Sequence, residues 1–477
     1  MLRKLLSHAA IYGLAAHVPR LAGVLSLPVI TPYLTTLDYG VGGIVTAYVV
    51  ALNTLFSLGL SVVMVNAYAK HPMRYKWVWR QLHGFLSEWA VLYGLILGAL
   101  LWWGMPDEAR ENHWELLALN VLPVVLFGVT EFQAMFLFQI SQRPVPVAIR
   151  SFIVGVITVG LNIYTIAYLQ MGYMGWFYAN AAGALVGFIL YGYPLYFKEK
   201  MWPVFNYRWH RIKKSLKVSL PVIPHHFSFF LLDTSDKLVL DFLKVPLPRI
   251  GLYNIASSFG LYFMAASTSI VQAASPFYMQ YYSKPKGDTE AAKQARSMTF
   301  SLQALFLGLT FILCLWLKEL FILLIKNQEL QKAYPLAIII MMGYNYRPMY
   351  LGAVNLLVYR EHTKVLWKIS TVAGMGNVLL NLMLVPYFGI EAAAITTFAA
   401  LMYMGYSGYA LKEYKQVADI NYYPWLWLSL TVLALVVVYT LADAEVIYKI
   451  VVTVLLGLLG LTLGYKYKYY FAQYFIR

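Results

Sequence analysis

The chain divides into fourteen apolar stretches of membrane-spanning length, separated by short polar segments. A bilayer core about 30 Å thick is crossed by roughly 20 helical residues. Stretches of that kind fall near residues 9–37, 41–68, 85–104, 115–140, 148–170, 174–196, 218–243, 250–281, 299–325, 333–358, 365–385, 390–411, 425–442 and 447–465. Inside lipid every backbone polar group must be satisfied within the protein, so these stretches are expected to be helices. Composition agrees, with 60% of the 477 residues hydrophobic and 12% charged, against about 25% charged in soluble domains. The opening MLRKLLSHAAIYGLAAHVPR runs into a first stretch too long and too interrupted for a signal peptide, so it is expected to remain as an anchored helix. The fold class predicted is an all-α polytopic membrane protein.

The formal charge of +16 is a topology signal. Basic residues fall in alternate loops: Arg3 and Lys4, Lys70 to Arg80, Lys198 to Lys217, Lys284 to Arg296, Arg360 to Lys368, Lys412 and Lys415, and Lys466 and Lys468. These loops are expected on the cytoplasmic side, which places both termini there. The opposite loops, such as MPDEARENHWE and ADAE, are short and acidic. Nucleic-acid binding is the other reading of a basic chain, and the alternation of the charge argues against it. The single cysteine, Cys314, excludes an internal disulfide and reads as a packed core thiol.

Two pairs of segments repeat at similar offsets, about 220 residues for the first and about 210 for the second. NIYTIAYLQMGYMGWFYANAAGA from Asn162 matches NLMLVPYFGIEAAAITTFAA from Asn381 in pattern, and TPYLTTLDYGVGGIVTAY from Thr31 matches LDFLKVPLPRIGLYNIASSF from Leu240. Two pseudo-symmetric six-helix lobes are expected, residues 1–196 and 218–411, followed by two further helices and a tail in 412–477. Between the lobes, residues 197–217 place Trp202, Phe205, Trp209, Ile212 and Leu216 three and four apart, with Arg208, Arg211, Lys213, Lys214 and Lys217 on other faces. That spacing predicts a basic amphipathic helix on the headgroups.

The seventh stretch contains FLLDTSDKLVLDF, with Asp233, Asp236, Lys237 and Asp241. Three such charges facing lipid cost about 9 kcal/mol, at about 3 each, so they are expected to face protein or water. On one continuous helix His226, Asp233 and Lys237 share a line. Asp233 and Lys237 are then spaced to pair, which is one reading; the other is that the stripe lines a wet cavity. The first stretch carries His17 and Arg20. The tenth carries Tyr344, Asn345 and Arg347 beside Pro348, with Asn355 two turns on, and the fourth carries Asn120 and Glu131 on one face. A central cavity with Arg20, Lys237 and Arg347, and with His17, His225, His226 and Asn345 as further donors, suits an anionic pyrophosphate headgroup, because guanidinium forks bind phosphate oxygens in pairs. Each cation also has a structural reading, as the partner of a carboxylate or as a surface charge. Asp233, Asp236 and Glu131 are the candidates to carry a proton or hold Na⁺. Glu88 and Glu391 lie near helix ends, and Gly94 with Gly98 and Gly183 with Gly187 form small-residue pairs for close packing.

LPVITPYLTTLDYGVGGIVTAY, SDKLVLDFLKVPLPRIGLYNIASSFG and NVLLNLMLVPYFGIEAAAITTFAA, in that order, resemble the polysaccharide-transporter branch of the multidrug/oligosaccharidyl-lipid/polysaccharide exporter superfamily. The resemblance implies a flippase that moves polyprenyl-pyrophosphate-linked oligosaccharide across the cytoplasmic membrane. Two lobes would rock around a cationic cavity, driven by a cation gradient or the membrane potential, for cell-surface polysaccharide synthesis. It also implies a cavity arginine at Arg20, and a Ser-Asp-basic element at Asp236 and Lys237 whose role is open. PHHFSF in the seventh stretch departs from the family pattern. Expected partners are the lipid-linked substrate, membrane lipids and other polysaccharide-assembly proteins, with no nucleic acid, no metal and no cofactor beyond an H⁺ or Na⁺ gradient. The nearest rival is a cation-coupled multidrug exporter of the same superfamily, which calls for an acidic, aromatic cavity. A membrane-embedded glycosyltransferase or polymerase calls for acidic metal motifs or a large outer loop. A scaffold without transport leaves the buried charges unused. The sequence holds no phosphate-binding glycine loop, metal-ligand spacing or catalytic triad pattern, so no enzyme activity is expected.

Overall fold

The computed structural model describes residues 22–283 and 289–466. The helices in chain order are α1 (Ala22–Tyr33), α2 (Thr36–Phe56), α3 (Ser61–Lys70), α4 (Tyr75–Gly104), α5 (His113–Pro123), α6 (Val129–Ile140), α7 (Pro144–Ile163), α8 (Met174–Tyr193) and α9 (Trp209–Ser219). They continue as α10 (Ile223–Asp233), α11 (Ser235–Phe242), α12 (Leu247–Tyr282), α13 (Thr289–Leu315), α14 (Leu317–Leu324), α15 (Gln328–Gln331), α16 (Tyr334–Gly343), α17 (Arg347–Tyr359), α18 (Leu366–Tyr406), α19 (Lys412–Val417), α20 (Pro424–Leu441) and α21 (Val446–Lys466). No strand occurs among the described residues. Each apolar stretch falls on one or more of these helices. Eight helical segments among the described residues are long and apolar enough to cross a membrane, and one of them, Leu366–Ala410, holds two stretches. Others are interrupted, the seventh stretch at Thr234 and the tenth by the tight turn Tyr344–Tyr346.

The repeated segments fold alike. Gly172 and Gly389 both take positive φ, 54° and 65°, a conformation that glycine adopts without a side-chain clash. At Gly389 the chain reverses inside α18, because Asn381 and Thr396, fifteen residues apart, are hydrogen-bonded to each other. Each turn rests on a charged residue from the other repeated segment of its half. Asp38 Oδ1 accepts from the Tyr173 backbone N–H at 2.9 Å, and Arg249 Nη1 lies beside Gly389. Asp38 also closes the start of α2, accepting from the Thr35 N–H at 2.7 Å while its own N–H donates to Thr35 Oγ1 at 3.2 Å.

The corresponding helices of the two halves meet face to face. A Cβ on Gly251 of α12 would lie 1.8 Å from the Thr36 carbonyl oxygen, and one on Gly40 of α2 would lie 2.5 Å from the Leu247 carbonyl oxygen. Bare backbones therefore touch here, as small residues allow between membrane helices. Asn254 Nδ2 donates to the Tyr39 carbonyl at 2.7 Å. Nearby, the Lys326 N–H donates to Thr31 Oγ1 and Asn327 Nδ2 to the Leu34 carbonyl, both at 2.8 Å. One apolar cluster runs across this junction from Ile30 and Val41 through Tyr253 to Ile340; a second joins Met64, Trp79, Leu86 and Tyr191 of the first half to Met201 and Ile212 of the linker.

The segment between the halves differs from its predicted form. The helix begins only at Trp209, and residues 199–208 run as a non-helical strap. Pro203 lies in the strap and lacks the N–H a helix interior needs. The strap docks instead on α4, with Val204 N–H to the Arg80 carbonyl and Arg80 Nε to the Trp202 carbonyl, both 2.9 Å. Glu199 fastens its start, 3.0 Å from Lys76 and 2.7 Å from Arg143. Within α9, Ile212 is buried and Arg211, Lys213, Lys214 and Lys217 are exposed, as the spacing predicts.

Gly251→Val is expected to cost on the order of 3 kcal/mol by driving a side chain into backbone, read as a lowered thermal midpoint of the purified protein. Gly160→Ala, with nothing within 4 Å of its Cβ, is the neutral control. Burial pushes the Glu199 carboxyl up, but Lys76 and Arg143 outweigh it and hold the group below the usual carboxylate range. A depressed folded value means the clamp contributes fully above the unfolded value and is lost as pH falls through the folded one. The stability gap between wild type and Glu199→Gln, about 1 kcal/mol at neutral pH, is expected to close on acidification; a gap that persists in acid sinks the clamp.

Candidate functional site

The seventh stretch is two helices, not one. Thr234, at φ −139° and ψ −22°, ends α10, and α11 restarts at Ser235. The break cancels the single line predicted through His226, Asp233 and Lys237. No ion pair joins Asp233 to Lys237 among the described residues, because the kink turns them to different neighbours.

Asp236 is 2% exposed and filled with donors. Its Oδ1 accepts from Asn377 Nδ2 and Asn381 Nδ2, each at 2.7 Å. Its Oδ2 accepts from Tyr253 Oη at 2.5 Å and Thr397 Oγ1 at 2.7 Å. These donors come from α12 and from both limbs of α18, so the carboxylate joins three spans to α11. Asn381 Oδ1 in turn accepts from Thr396, while Asn377 Oδ1 is buried without a partner.

Asp233 lies a turn away, half-buried, accepting from Tyr344 Oη at 3.4 Å, with Arg347 and Asp236 as its charged neighbours. Arg347 opens α17, preceded by the turn Tyr344–Tyr346 and followed by Pro348. Its Nη1 donates to Thr268 Oγ1 at 2.7 Å, and its Nε is buried without an acceptor. The guanidinium thus favours negative charge at this place, whereas the start of α17 offers none of its own, because the Arg347 N–H donates to the Tyr344 carbonyl and Pro348 has no N–H. Lys237 is 6% exposed and makes no described hydrogen bond or ion pair; Asp236 is its charged neighbour. A buried cation without a bound carboxylate is expensive; here Lys237 is buried next to Asp236, and the half-buried Arg347 neighbours Asp233.

Other expected site residues lie elsewhere. Asn345 is fully buried, donating to the Met342 carbonyl at 3.1 Å and accepting from Thr310 at 2.9 Å, which fastens the α16–α17 turn to α13. Glu131, on α6 in the first half, lies against Gly187 of α8, and Thr158 of α7 lies against Gly183; the small-residue pair thus makes room for two polar side chains. His226 is exposed on α10. His17, Arg20 and the side chain of His225 lie outside the described residues. Tyr253, Asn377 and Thr397 were not expected at the site. Their signal was the spacing of Asn377 and Asn381, two amides four apart on one face of an apolar helix.

Residues 5–282 match the family model described as polysaccharide biosynthesis protein. Among solved structures, the chain is similar to the lipid II flippase MurJ in an inward closed conformation, with a TM-score of 0.60 at 12% identity over 93% of this chain and 100% of that one. It is also similar to a multidrug resistance MATE family transporter of the MOP superfamily in an inward-facing conformation, at 0.55 and 14% over 89% and 95%. A eukaryotic MATE transporter matches at 0.54 and 14% over 91% and 98%. At these identities the likeness is one of fold, and the fold is that of the superfamily the sequence resembles. No curated protein matches the chain.

Asp236→Asn places an amide N–H against donors that already fill the site. It is expected to cost about 1 to 3 kcal/mol for groups left unsatisfied and to lower the thermal midpoint more than Tyr253→Phe, which removes one donor. Equal midpoints for wild type and Asp236→Asn would show that the carboxylate is not the hub.

Proposed function

We propose that this chain, which belongs to the polysaccharide biosynthesis protein family, is a flippase that carries polyprenyl-pyrophosphate-linked oligosaccharide across the cytoplasmic membrane by alternating access. The observation that carries this reading is the buried Lys237 and the half-buried Arg347, whose Nε is itself buried without an acceptor, neither with a carboxylate at ion-pair distance among the described residues. A pyrophosphate supplies the missing negative charge, and sugars with pyrophosphate cannot cross hydrocarbon unaided because of their desolvation cost. Arg20 and His17, outside the described residues, are in this reading the further cationic groups that the first stretch supplies, and His226, exposed on α10, is a further donor. The lobes are residues 1–196 and 218–411, the linker is 197–217, and the last two spans, within 412–477, lie outside the repeat. Bare backbone contact between α2 and α12, together with the bonds at Thr31 and Leu34, closes one end of the molecule. Two repeats rocking about a midplane site would open that end and close the other. The basic loops place both termini on the cytoplasmic side, so the closed end faces outward. No bond in the substrate is broken, and the chain acts as a transporter with no enzymatic step.

Asp236 is the coupling carboxylate in this reading, with Asp233 and Glu131 as the secondary candidates. Its four donors must loosen for a proton or Na⁺ to arrive. Rotating the Asn377 amide would bring its unpartnered oxygen toward Asp236, giving the oxygen ligands a hard cation takes. A multidrug exporter would draw on Asp233 and Asp236 with Tyr253 and Tyr344 but leave Lys237 and Arg347 without a role, and a glycosyltransferase draws on no feature of this site.

The test is a deletion strain complemented with wild type, Arg20→Ala, Lys237→Ala or Arg347→Ala. Lipid-linked oligosaccharide and surface polymer are then measured by mass spectrometry. Without the protein, the lipid-linked intermediate is expected to accumulate and the surface polymer to disappear, with the three variants restoring less than a tenth of wild-type polymer, the loss of about 1.4 kcal/mol or more per cation. Unchanged lipid-linked sugars with raised sensitivity to cationic drugs would replace this reading by the multidrug exporter.

A further inference from the structure

A second polar cleft lies at the end of the molecule that carries the basic loops. Tyr281 and Tyr282 at the end of α12, Arg360 just beyond α17, and Asp419 and Tyr422 between α19 and α20 line it. Arg360 stands thirteen residues past Arg347 along α17, about 20 Å away at 1.5 Å per residue, so the cleft is separate from the site of Asp236. One wall belongs to the second half of the repeat; the other is the connector to the last two spans.

The donors in this cleft outnumber their acceptors. Arg360 Nε is buried without an acceptor, and the guanidinium carbon lies 5.6 Å from the centre of the Tyr359 ring, which fixes its plane. Tyr282 Oη and Tyr422 Oη stand 3.4 Å apart. Tyr414 packs with Tyr409, which packs with Tyr422, and the Tyr414 hydroxyl is buried without a partner. Asp419 lines the same cleft but is exposed and makes no ion pair with Arg360. The rim is that of a membrane surface. Trp367, Tyr423 and Trp425 are 53%, 50% and 77% exposed, and Lys364, Lys368, Lys412 and Lys415 are exposed beside them. Exposed tryptophan and tyrosine with lysine is the pattern of residues at headgroup depth, and basic pockets between spans on such a face take lipid headgroups.

We propose that the cleft of Arg360, Tyr282 and Tyr422 binds the phosphate of an anionic membrane lipid. Arg360 meets the phosphate oxygens through its fork, the tyrosine hydroxyls supply further donors, and the acyl chains lie along the exposed apolar faces of the neighbouring spans. The bound headgroup joins the connector to α12 and α17, so the last two helices, α20 and α21, are held by a lipid as well as by protein contacts. This inference does not depend on what the protein carries.

The test uses the purified full-length protein in neutral detergent, with thermal unfolding followed during titration with dioctanoyl phosphatidylglycerol, dioctanoyl phosphatidylcholine or inorganic phosphate. Phosphatidylglycerol is expected to raise the midpoint and phosphatidylcholine to leave it unchanged, with inorganic phosphate far weaker than the lipid. Arg360→Gln is expected to raise the half-maximal lipid concentration about tenfold, the loss of one charge-assisted contact, and Asp419→Asn to lower it by removing a competing carboxylate. Equal responses to the two lipids, an unaltered response in Arg360→Gln, or inorganic phosphate matching phosphatidylglycerol each overturn the proposal. A lost response in Asp419→Asn also overturns it, by making Asp419 the structural partner of Arg360. If Arg360→Gln does not fold, Asp419→Asn and Tyr422→Phe decide by the same shifts, since a lipid site strengthens with the first and weakens with the second.

Discussion

A carboxylate taken out of water has to be met by donors, and Asp236 is met by four, from Tyr253, Asn377, Asn381 and Thr397. Left alone in a low-dielectric interior, such a charge costs several kcal/mol. Here the cost is offset by charge-assisted bonds that reach across α12 and both limbs of α18. The arrangement fixes where α11 must lie, and so where the chain breaks at Thr234. Because the break separates Asp233 from Lys237, the two residues acquire different charged neighbours, Arg347 for Asp233 and Asp236 for Lys237, without an ion pair among them in the described residues.

Around that hub, the relation of the halves is set by the absence of side chains. Gly40 and Gly251 let α2 and α12 approach until backbone meets backbone, and in a lipid setting such packing replaces the hydrophobic drive that holds soluble helices together. A junction of that kind carries few long side chains to disentangle.

Much of the fold was legible in the sequence because lipid imposes a length rule on each span, and the repeated segments from Thr31 and Leu240 proved to be the ones that meet. Gly172 and Gly389 fell at the turns that their repeat predicted. The site was only partly legible. Arg347 and Asp236 stood out as charges in apolar stretches, yet periodicity alone ran a continuous helix through Thr234 and a helix through Pro203. Both errors have one physical source: hydrophobic spacing records which faces are apolar and not where long-range bonds, such as Val204 to Arg80 or Asn377 to Asp236, break the local pattern. Asn345 looked like a cavity donor for the same reason, and its two bonds lie inside the packing of α13 and α16.

The repeated asparagines have diverged in use. Asn381 is bonded to Asp236 and Thr396 in the second half, whereas the side-chain oxygen of Asn162, its counterpart in the first, is buried with no partner. The turns they precede rest on opposite charges, Asp38 in one and Arg249 in the other. The turn scaffold therefore occurs in both repeated segments, and the polar hub in one. One turn is thus backed by a shared carboxylate that ties several spans together, and the other makes the same reversal without one.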